Sequence, residues 1–127
     1  MRKHSLKSKT SQNKLSERDI ETTILEYLKI RGFYVWKNRT TGTFSKDKNV
    51  FLKPPKHCIR GVADILGICH VEPHKGRMIS IEVKAAGGRV SEYQQTHLTE
   101  IHQRGGISLI VWSLEDVIRD FQIRGLL

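Results

Sequence analysis

The chain has 127 residues, of which 38% are hydrophobic, so its length and composition suit one small domain with a single core. It contains no apolar run near the roughly 20 residues that a membrane span requires, and its N-terminus lacks the apolar stretch of a signal peptide. We therefore expect an intracellular protein without a membrane partner. Two cysteines, Cys58 and Cys69, are too few for a disulfide framework, and their spacing argues against structural zinc.

The formal net charge of +9 is concentrated in two segments of the chain. Residues 1–14 and 37–60 together contain 12 of the 22 Lys and Arg residues but only 1 of the 13 acidic residues. This distribution indicates contact with a polyanion such as a nucleic acid, because each cation that neutralises a phosphate releases condensed counterions. A solubilising surface and contact with anionic lipid are the alternatives. The candidate nucleic-acid-binding residues are Lys37, Arg39, Lys46, Lys48, Lys53, Lys56 and Arg60, with Arg89 further along the chain.

The N-terminal half begins with a basic segment and continues into the predicted domain. Residues 1–15 have few apolar side chains and are predicted to form a flexible arm, and residues 16–127 are predicted to form one domain. Ser16 begins a Ser-x-x-acid motif, and apolar residues at helical spacing predict a helix over Glu17–Arg31 that stops at Gly32. The β-prone run Phe33–Trp36 follows, and the next twenty residues are loop-like apart from a brief strand at VFL.

The C-terminal half alternates between strand and helix signals. The predicted elements are strands at Val62–Cys69 and Ile79–Val83 joined by the turn-rich EPHKG, a helix over Glu92–Gln103 after Ser91, a strand at ISLIVW and a last helix, SLEDVIRDF, capped by Ser113. The continuous apolar run ISLIVW is typical of a strand that is covered on both faces. Together these elements predict an α/β fold, a central mixed sheet flanked by helices in the order α-β-β-β-α-β-α.

Two acidic residues occupy positions that otherwise belong to the core. Glu21 falls inside the apolar arc of the first helix and should face the sheet, where an unpaired carboxylate is costly. The alternative is a residue at the edge of the arc that pairs with a basic neighbour. Asp64 lies in the wholly apolar stretch GVADILGI, and its alternative role is to accept backbone hydrogen bonds at the Gly61 turn.

The strand ISIEVK carries a third acid and a lysine on one face. Ile79, Ile81 and Val83 alternate with Ser80, Glu82 and Lys84, a pattern that usually places the polar face in water. Pairing of this strand with its neighbour, however, predicts that Asp64 and Glu82 meet at one end of the same sheet face. Two converging carboxylates repel unless a divalent cation lies between them, and oxygen ligands suit Mg²⁺ or Mn²⁺. A solvent-facing Glu82–Lys84 ion pair is the alternative.

Gln94 fits two roles. Ser91-x-x-Gln94 is a capping box, and this structural role alone would account for a glutamine at this position. Gln94 also falls on the face of its helix that turns toward the sheet, near the end of the strand that carries Lys84. Both roles are compatible, and the spacing does not separate them.

A glutamate on the first helix, an aspartate on one strand, E-x-K on the next and a glutamine on the following helix resemble the PD-(D/E)xK nuclease superfamily. The resemblance is strongest to the virus-type replication-repair nuclease (VRR-Nuc) domain, through IETTILEYLKIRGFYVWKN, GVADILGI, ISIEVKAAGGRVSEYQQTHL and GGISLIVWSLEDV. One departure is that Ala63 stands where the motif has proline.

The resemblance implies a set of site residues and an activity. It implies a Mg²⁺ or Mn²⁺ site formed by Asp64, Glu82 and the Val83 carbonyl, with Lys84 at the attacking water, Glu21 completing the acidic set and Gln94 supporting Lys84. It further implies a DNA endonuclease of a bacterial or phage-infected cell, similar to Holliday-junction resolvases and active as a homodimer. A nuclease of DNA flaps or single-strand ends, and a non-catalytic nucleic-acid-binding module, are the alternative functions.

Overall fold

The computed structural model describes residues 14–39, 44–45, 50–51 and 55–127. Most of the predicted N-terminal arm, together with Lys46, Lys48 and Lys53, lies outside these residues. The elements are α1 (Glu17–Ile30), β1 (Tyr34–Lys37), β2 (Phe44–Ser45), β3 (Val50–Phe51), β4 (Ile65–Ile68), β5 (Met78–Val83), α2 (Glu92–Gln103), β6 (Ile107–Val111) and α3 (Leu114–Ile123). Among the described residues, no helix is long and apolar enough to cross a membrane.

The four longer strands form a mixed sheet in the order β1-β4-β5-β6, and β2 and β3 form a separate pair. The β1–β4 and β4–β5 pairs are antiparallel, whereas β5 and β6 are parallel because α2 connects them as a crossover helix. This architecture confirms the predicted α/β fold and the order of its main elements. The strand at VFL is also present, as β3.

The helices begin where short-range signals predict. The hydroxyls of Ser16, Ser91 and Ser113 each accept a hydrogen bond from the backbone N–H three residues later. The end of α1 is one residue earlier than predicted, at Ile30, because Arg31 adopts the cap position before Gly32, whose φ is +87°. β4 is likewise shorter than the predicted strand Val62–Cys69, since its ladder with β5 begins only at Ile65.

One face of the sheet packs against α1 and α3 to form the main core. Ile24 and Leu28 of α1 and Val117 and Phe121 of α3 are buried against the inward side chains of the strands, Ile79 among them. The other face packs against α2, which contacts β5 and β6. The sheet therefore has an apolar side and a mixed side, and the chemistry-bearing residues of β5 lie on the mixed side.

The polar face of β5 does not lie in water, so the alternative of a solvent-facing Glu82–Lys84 ion pair does not hold. Ser80, Glu82 and Lys84 are all buried, because α2 covers this part of the sheet. β6 differs from its prediction in the opposite direction: Ile107, Leu109 and Val111 are buried, whereas Ser108 and Ile110 are only partly covered. Ser108 and Ile110 point to the face on which α2 packs, so α2 covers this side of β6 only in part.

Candidate active site

The strand register brings Asp64 and Glu82 together. Ile65 pairs with Ile81 in the antiparallel β4–β5 ladder, so Asp64, one residue earlier, stands opposite Glu82. The Asp64 Oδ2 atom accepts a hydrogen bond of 2.8 Å from the Val83 backbone N–H. Asp64 thus accepts a backbone hydrogen bond across the sheet rather than at the Gly61 turn, and it does so beside Glu82.

Glu82, Lys84 and Gln94 form a closed hydrogen-bond network at the end of β5. Glu82 is 1% exposed. Its Oε1 accepts a hydrogen bond of 2.8 Å from Gln94 Nε2 and lies 3.4 Å from Lys84 Nζ. Lys84 Nζ donates in turn to Gln94 Oε1 at 2.9 Å. The same Gln94 oxygen accepts a hydrogen bond of 2.9 Å from the Ser91 N–H. The Gln94 side chain therefore both caps α2 and orients Glu82 and Lys84.

The second carboxylate oxygen of Glu82 is buried and lacks a hydrogen-bond partner among the described residues. Burial, the negative charge of Asp64 and a hydrogen bond with the Asp64 side chain together raise the pKa of Glu82 from 4.5 to about 8, against the opposing effect of Lys84. Near neutral pH this carboxyl therefore retains its proton unless a cation takes the proton's place. When both carboxylates are ionised, this buried oxygen has no donor among the described residues and faces a second negative charge, which is a costly arrangement.

Glu21 lies on the opposite side of the sheet end and has a basic partner. It is buried on α1, and its Oε1 lies 3.5 Å from Lys37 Nζ at the end of β1. Burial raises the pKa of Glu21, Lys37 lowers it and the charge of Asp64 raises it, so Glu21 and Asp64 share one electrostatic environment. Lys37, predicted as a nucleic-acid contact, is therefore partly engaged within the acidic site itself.

The other described basic candidates lie at the surface around this site. Arg60 extends over the Tyr93 ring at 5.4 Å from its centroid, and its Nη1 donates to the Tyr93 hydroxyl at 3.4 Å. Arg39, Lys56 and Arg89 are exposed. Of this set, the structure therefore places Lys37 in the acidic site and Arg60 beside the first turn of α2.

Two further polar residues in this layer were missed from the sequence. Ser80 Oγ and His97 Nε2 are hydrogen-bonded at 3.3 Å, and both side chains are buried between β5 and α2. Burial lowers the pKa of His97, which favours the neutral imidazole. The available signals were the spacing of Ser80 two residues before Glu82 and of His97 three residues after Gln94, which place each on the face of a predicted site residue.

Gly61 sets how closely the loop before Asp64 approaches α2. A Cβ atom at this position would lie 2.3 Å from the Tyr93 carbonyl carbon and 2.5 Å from the Gln94 backbone nitrogen, and the Gly61 φ is +75°. Gly61→Ala is therefore expected to lower the free energy of unfolding by at least about 2 kcal/mol, since both strain and a backbone clash are introduced. Gly32 is the matched control, because its φ is +87° but its Cβ would meet nothing within 4 Å. Urea denaturation measures the free energy of unfolding of both alanine variants. An equal decrease in Gly61→Ala and Gly32→Ala would contradict the prediction.

The described residues contain no group of three or more His, Cys, Asp or Glu side chains that could hold a metal ion. The predicted third carboxylate, Glu21, is thus not gathered with Asp64 and Glu82 into a metal-binding cluster. The side-chain oxygens that the register does bring together are those of Asp64 and Glu82.

Comparison with known proteins connects this geometry to a fold. No protein-family model matches the chain, and no curated protein matches it. Among solved structures, a "VRR_NUC domain protein" is similar with a TM-score of 0.60 and 18% sequence identity, over 86% of this chain and 87% of that one. The chain therefore has a VRR-Nuc-like fold, as the pattern of its acidic residues and its E-x-K strand predicted.

Proposed function

We propose that this chain is a metal-dependent, structure-selective DNA endonuclease that hydrolyses phosphodiester bonds at four-way junctions or related branched intermediates. The observation that carries the proposal is the buried, partnerless Glu82 oxygen opposite Asp64, next to a lysine held by Gln94. The VRR-Nuc-like fold supports the same reaction class. The basic segments at residues 1–14 and 37–60 supply the charge that a DNA backbone requires.

A divalent cation fits the donor set at this site. Asp64, the free oxygen of Glu82 and the Val83 carbonyl would hold it, and hard oxygen donors of this kind suit Mg²⁺ or Mn²⁺. A cation here would offset the repulsion between two carboxylates and the cost of a buried oxygen without a partner. When bound, the metal would supply Lewis-acid stabilisation of charge on the phosphate and a lowered pKa for the attacking water.

The chain's own groups orient the substrate and its nucleophile. Lys84 has three ammonium protons, of which one is donated to Gln94 Oε1 and another lies toward Glu82 Oε1. The third can bind a phosphate oxygen or the attacking water without disturbing the network. Gln94 fixes the direction of this ammonium, and the half-exposed Lys37, paired with Glu21, places a second cation at the edge of the site.

The direct test incubates the protein with four-way junction, flap, duplex and single-stranded DNA in Mg²⁺, Mn²⁺ or EDTA. We expect cleavage of branched DNA that EDTA abolishes, and no cleavage by a Lys84→Met preparation purified in the same way. Binding of all four DNAs without cleavage in either metal would instead identify a nucleic-acid-binding module. Preferential cutting of flaps or single-strand ends would assign the same site to the alternative nuclease function.

The proposal includes a homodimer on four-way junctions. Such a junction offers two symmetry-related strands, and a twofold dimer presents two equivalent sites to them. Light scattering of the protein with and without junction DNA measures the mass of the active species. A monomeric mass together with full junction-cleaving activity would contradict this part of the proposal and leave the reaction itself unaffected.

A further inference from the structure

Among the described helices, α2 packs on this face of the sheet over β5 and β6. On the other two strands, the residues that point to this face include Tyr34 and Trp36 of β1 and Ile68 of β4, and all three are exposed. The register aligns Tyr34 with Ile68 and Ile68 with Met78, so these side chains form one row across three strands. An apolar, partly aromatic surface thus lies beside the candidate active site.

The two aromatic rings form a small platform on the edge strand. Tyr34 is 71% exposed and Trp36 is 39% exposed, and their ring centroids are 5.4 Å apart with planes inclined by 58°. In the described part of the chain, β1 is the first strand of this sheet, and no described strand pairs with its outer side. Exposed aromatic faces of this kind bind unpaired nucleobases by stacking, whatever the base sequence.

The platform is adjacent to the acidic pair in the register. Trp36 pairs with Leu66, and Asp64 lies two residues before Leu66, on the same face of the sheet. Diagonal neighbours of this kind are about 7–8 Å apart between backbones, which is close to the spacing of successive phosphates along a strand. A base stacked on Trp36 therefore has a neighbouring phosphate near Asp64, the more exposed member of the acidic pair.

The sequence that begins at the end of β1 is strongly basic. Residues 37–60 contain seven basic residues and one acidic residue. An apolar peptide would not require this charge and an acidic peptide would not require the aromatic rings, whereas single-stranded DNA uses both. A groove of about 880 Å³ continues from Met78 along α2, and its lining includes Arg60, Tyr93 and the ion pair of Arg104 with Glu100.

We propose that Tyr34 and Trp36 form a stacking platform for unpaired bases of single-stranded DNA next to the acidic site. The proposal rests on the proposed nuclease function and narrows its substrate to branched DNA with unpaired bases at the branch point. The platform holds the unpaired nucleotide, and the adjoining strand passes along the Asp64 side of the acidic pair.

The binding step has a direct spectroscopic test, because Trp36 and Trp112 are the two tryptophans of the chain. Trp112 follows β6, at the opposite edge of the sheet, so Trp112→Phe leaves Trp36 as the reporter. Titration of this variant with a ten-residue oligothymidylate in EDTA should quench Trp36 emission in a saturable way. The Trp36→Phe variant, which reports on Trp112, should show little quenching.

Before DNA is added, acrylamide should quench Trp36 emission in the Trp112→Phe variant. Strong protection from acrylamide would mean that part of this chain or a second copy covers the platform, and would overturn the proposal. Absence of oligothymidylate quenching, or quenching confined to Trp112, would overturn it as well. Each of these results is read in EDTA and is therefore independent of cleavage.

Cleavage kinetics separate the platform from the active site. Tyr34→Ala should weaken binding of a single-stranded-tailed duplex about 5- to 100-fold, while binding of a blunt duplex changes little. Ile123→Ala is the matched control, since Ile123 is 81% exposed on α3, which packs on the other face of the sheet. If tailed DNA is cleaved equally by wild type and Tyr34→Ala, the platform proposal fails and the nuclease proposal stands. If oligothymidylate quenches Trp36 emission but no DNA is cleaved, the platform proposal stands and the nuclease proposal fails.

Discussion

Replacing Lys84 by methionine should lower the rate of DNA cleavage by about 10²- to 10³-fold while the protein remains folded. The ammonium is buried at 7% exposure, donates to Gln94 Oε1 and faces Glu82, so it is fixed where phosphate charge would develop. Methionine fills nearly the same volume without the charge, and Glu82 can remain protonated without its cationic neighbour. The loss should therefore appear in kcat, with a smaller change in DNA affinity.

Lys75→Met is the matched control for this substitution. Lys75 is exposed in the β4–β5 connection, so its removal takes away the same charge from the protein without touching the site. Single-turnover rates on the preferred branched DNA, with circular dichroism to confirm folding, provide the measurement. Cleavage by Lys84→Met within a few-fold of the wild-type rate would refute the assigned role of Lys84.

Without divalent metal, the free energy of unfolding should fall as pH rises toward 8. The pKa of Glu82 is raised from 4.5 to about 8 by burial, so the folded protein binds this proton more tightly than the unfolded chain does. The stabilisation is complete below pH 4.5 and is lost as pH rises through about 8, and at about 1.4 kcal/mol per pKa unit it amounts to a few kcal/mol. Mg²⁺ should restore stability above pH 7, because it binds the ionised carboxylate.

The window between pH 6.5 and 8 isolates the contribution of Glu82. Burial lowers the pKa of His97 below its usual 6.5, so His97 makes stability rise with pH below that value and contributes no slope above it. Glu82→Gln should remove most of the decrease in the free energy of unfolding between pH 6.5 and 8. Glu26→Gln, at an exposed position on α1, should leave this decrease unchanged. Urea denaturation at half-unit pH intervals in EDTA decides the matter. Stability that rises with pH in wild type, or an unchanged slope in Glu82→Gln, would contradict the assignment.

The features predicted best from sequence are those that short-range chemistry determines. The helix starts at Ser16, Ser91 and Ser113 follow from side-chain hydroxyls that bond to backbone groups three residues away. The meeting of Asp64 and Glu82 follows from the pairing of two strands joined by a hairpin. In each case the interaction partners are close in sequence or lie in adjacent elements, so the pattern of residues is sufficient to predict the contact.

The features that were mispredicted or missed depend on packing between distant elements. Alternation along β5 gives the direction of Glu82 and Lys84 but not the layer above them, and α2 buries both side chains more fully than the alternation indicates. The Glu21–Lys37 ion pair joins a helix to a strand edge, and its basic member was assigned to nucleic acid on net charge alone. The buried Ser80–His97 contact likewise depends on how α2 sits over β5.

The shared oxygen of Gln94 makes the start of α2 and the lysine network a single cooperative unit. The Ser91 N–H and Lys84 Nζ both donate to Gln94 Oε1, while Gln94 Nε2 donates to Glu82. Whenever thermal fluctuation opens the first turn of α2, the acid and the lysine lose their common anchor in the same event. The population of molecules with an intact network is therefore limited by the local opening equilibrium of one helical turn, which can be far more frequent than global unfolding.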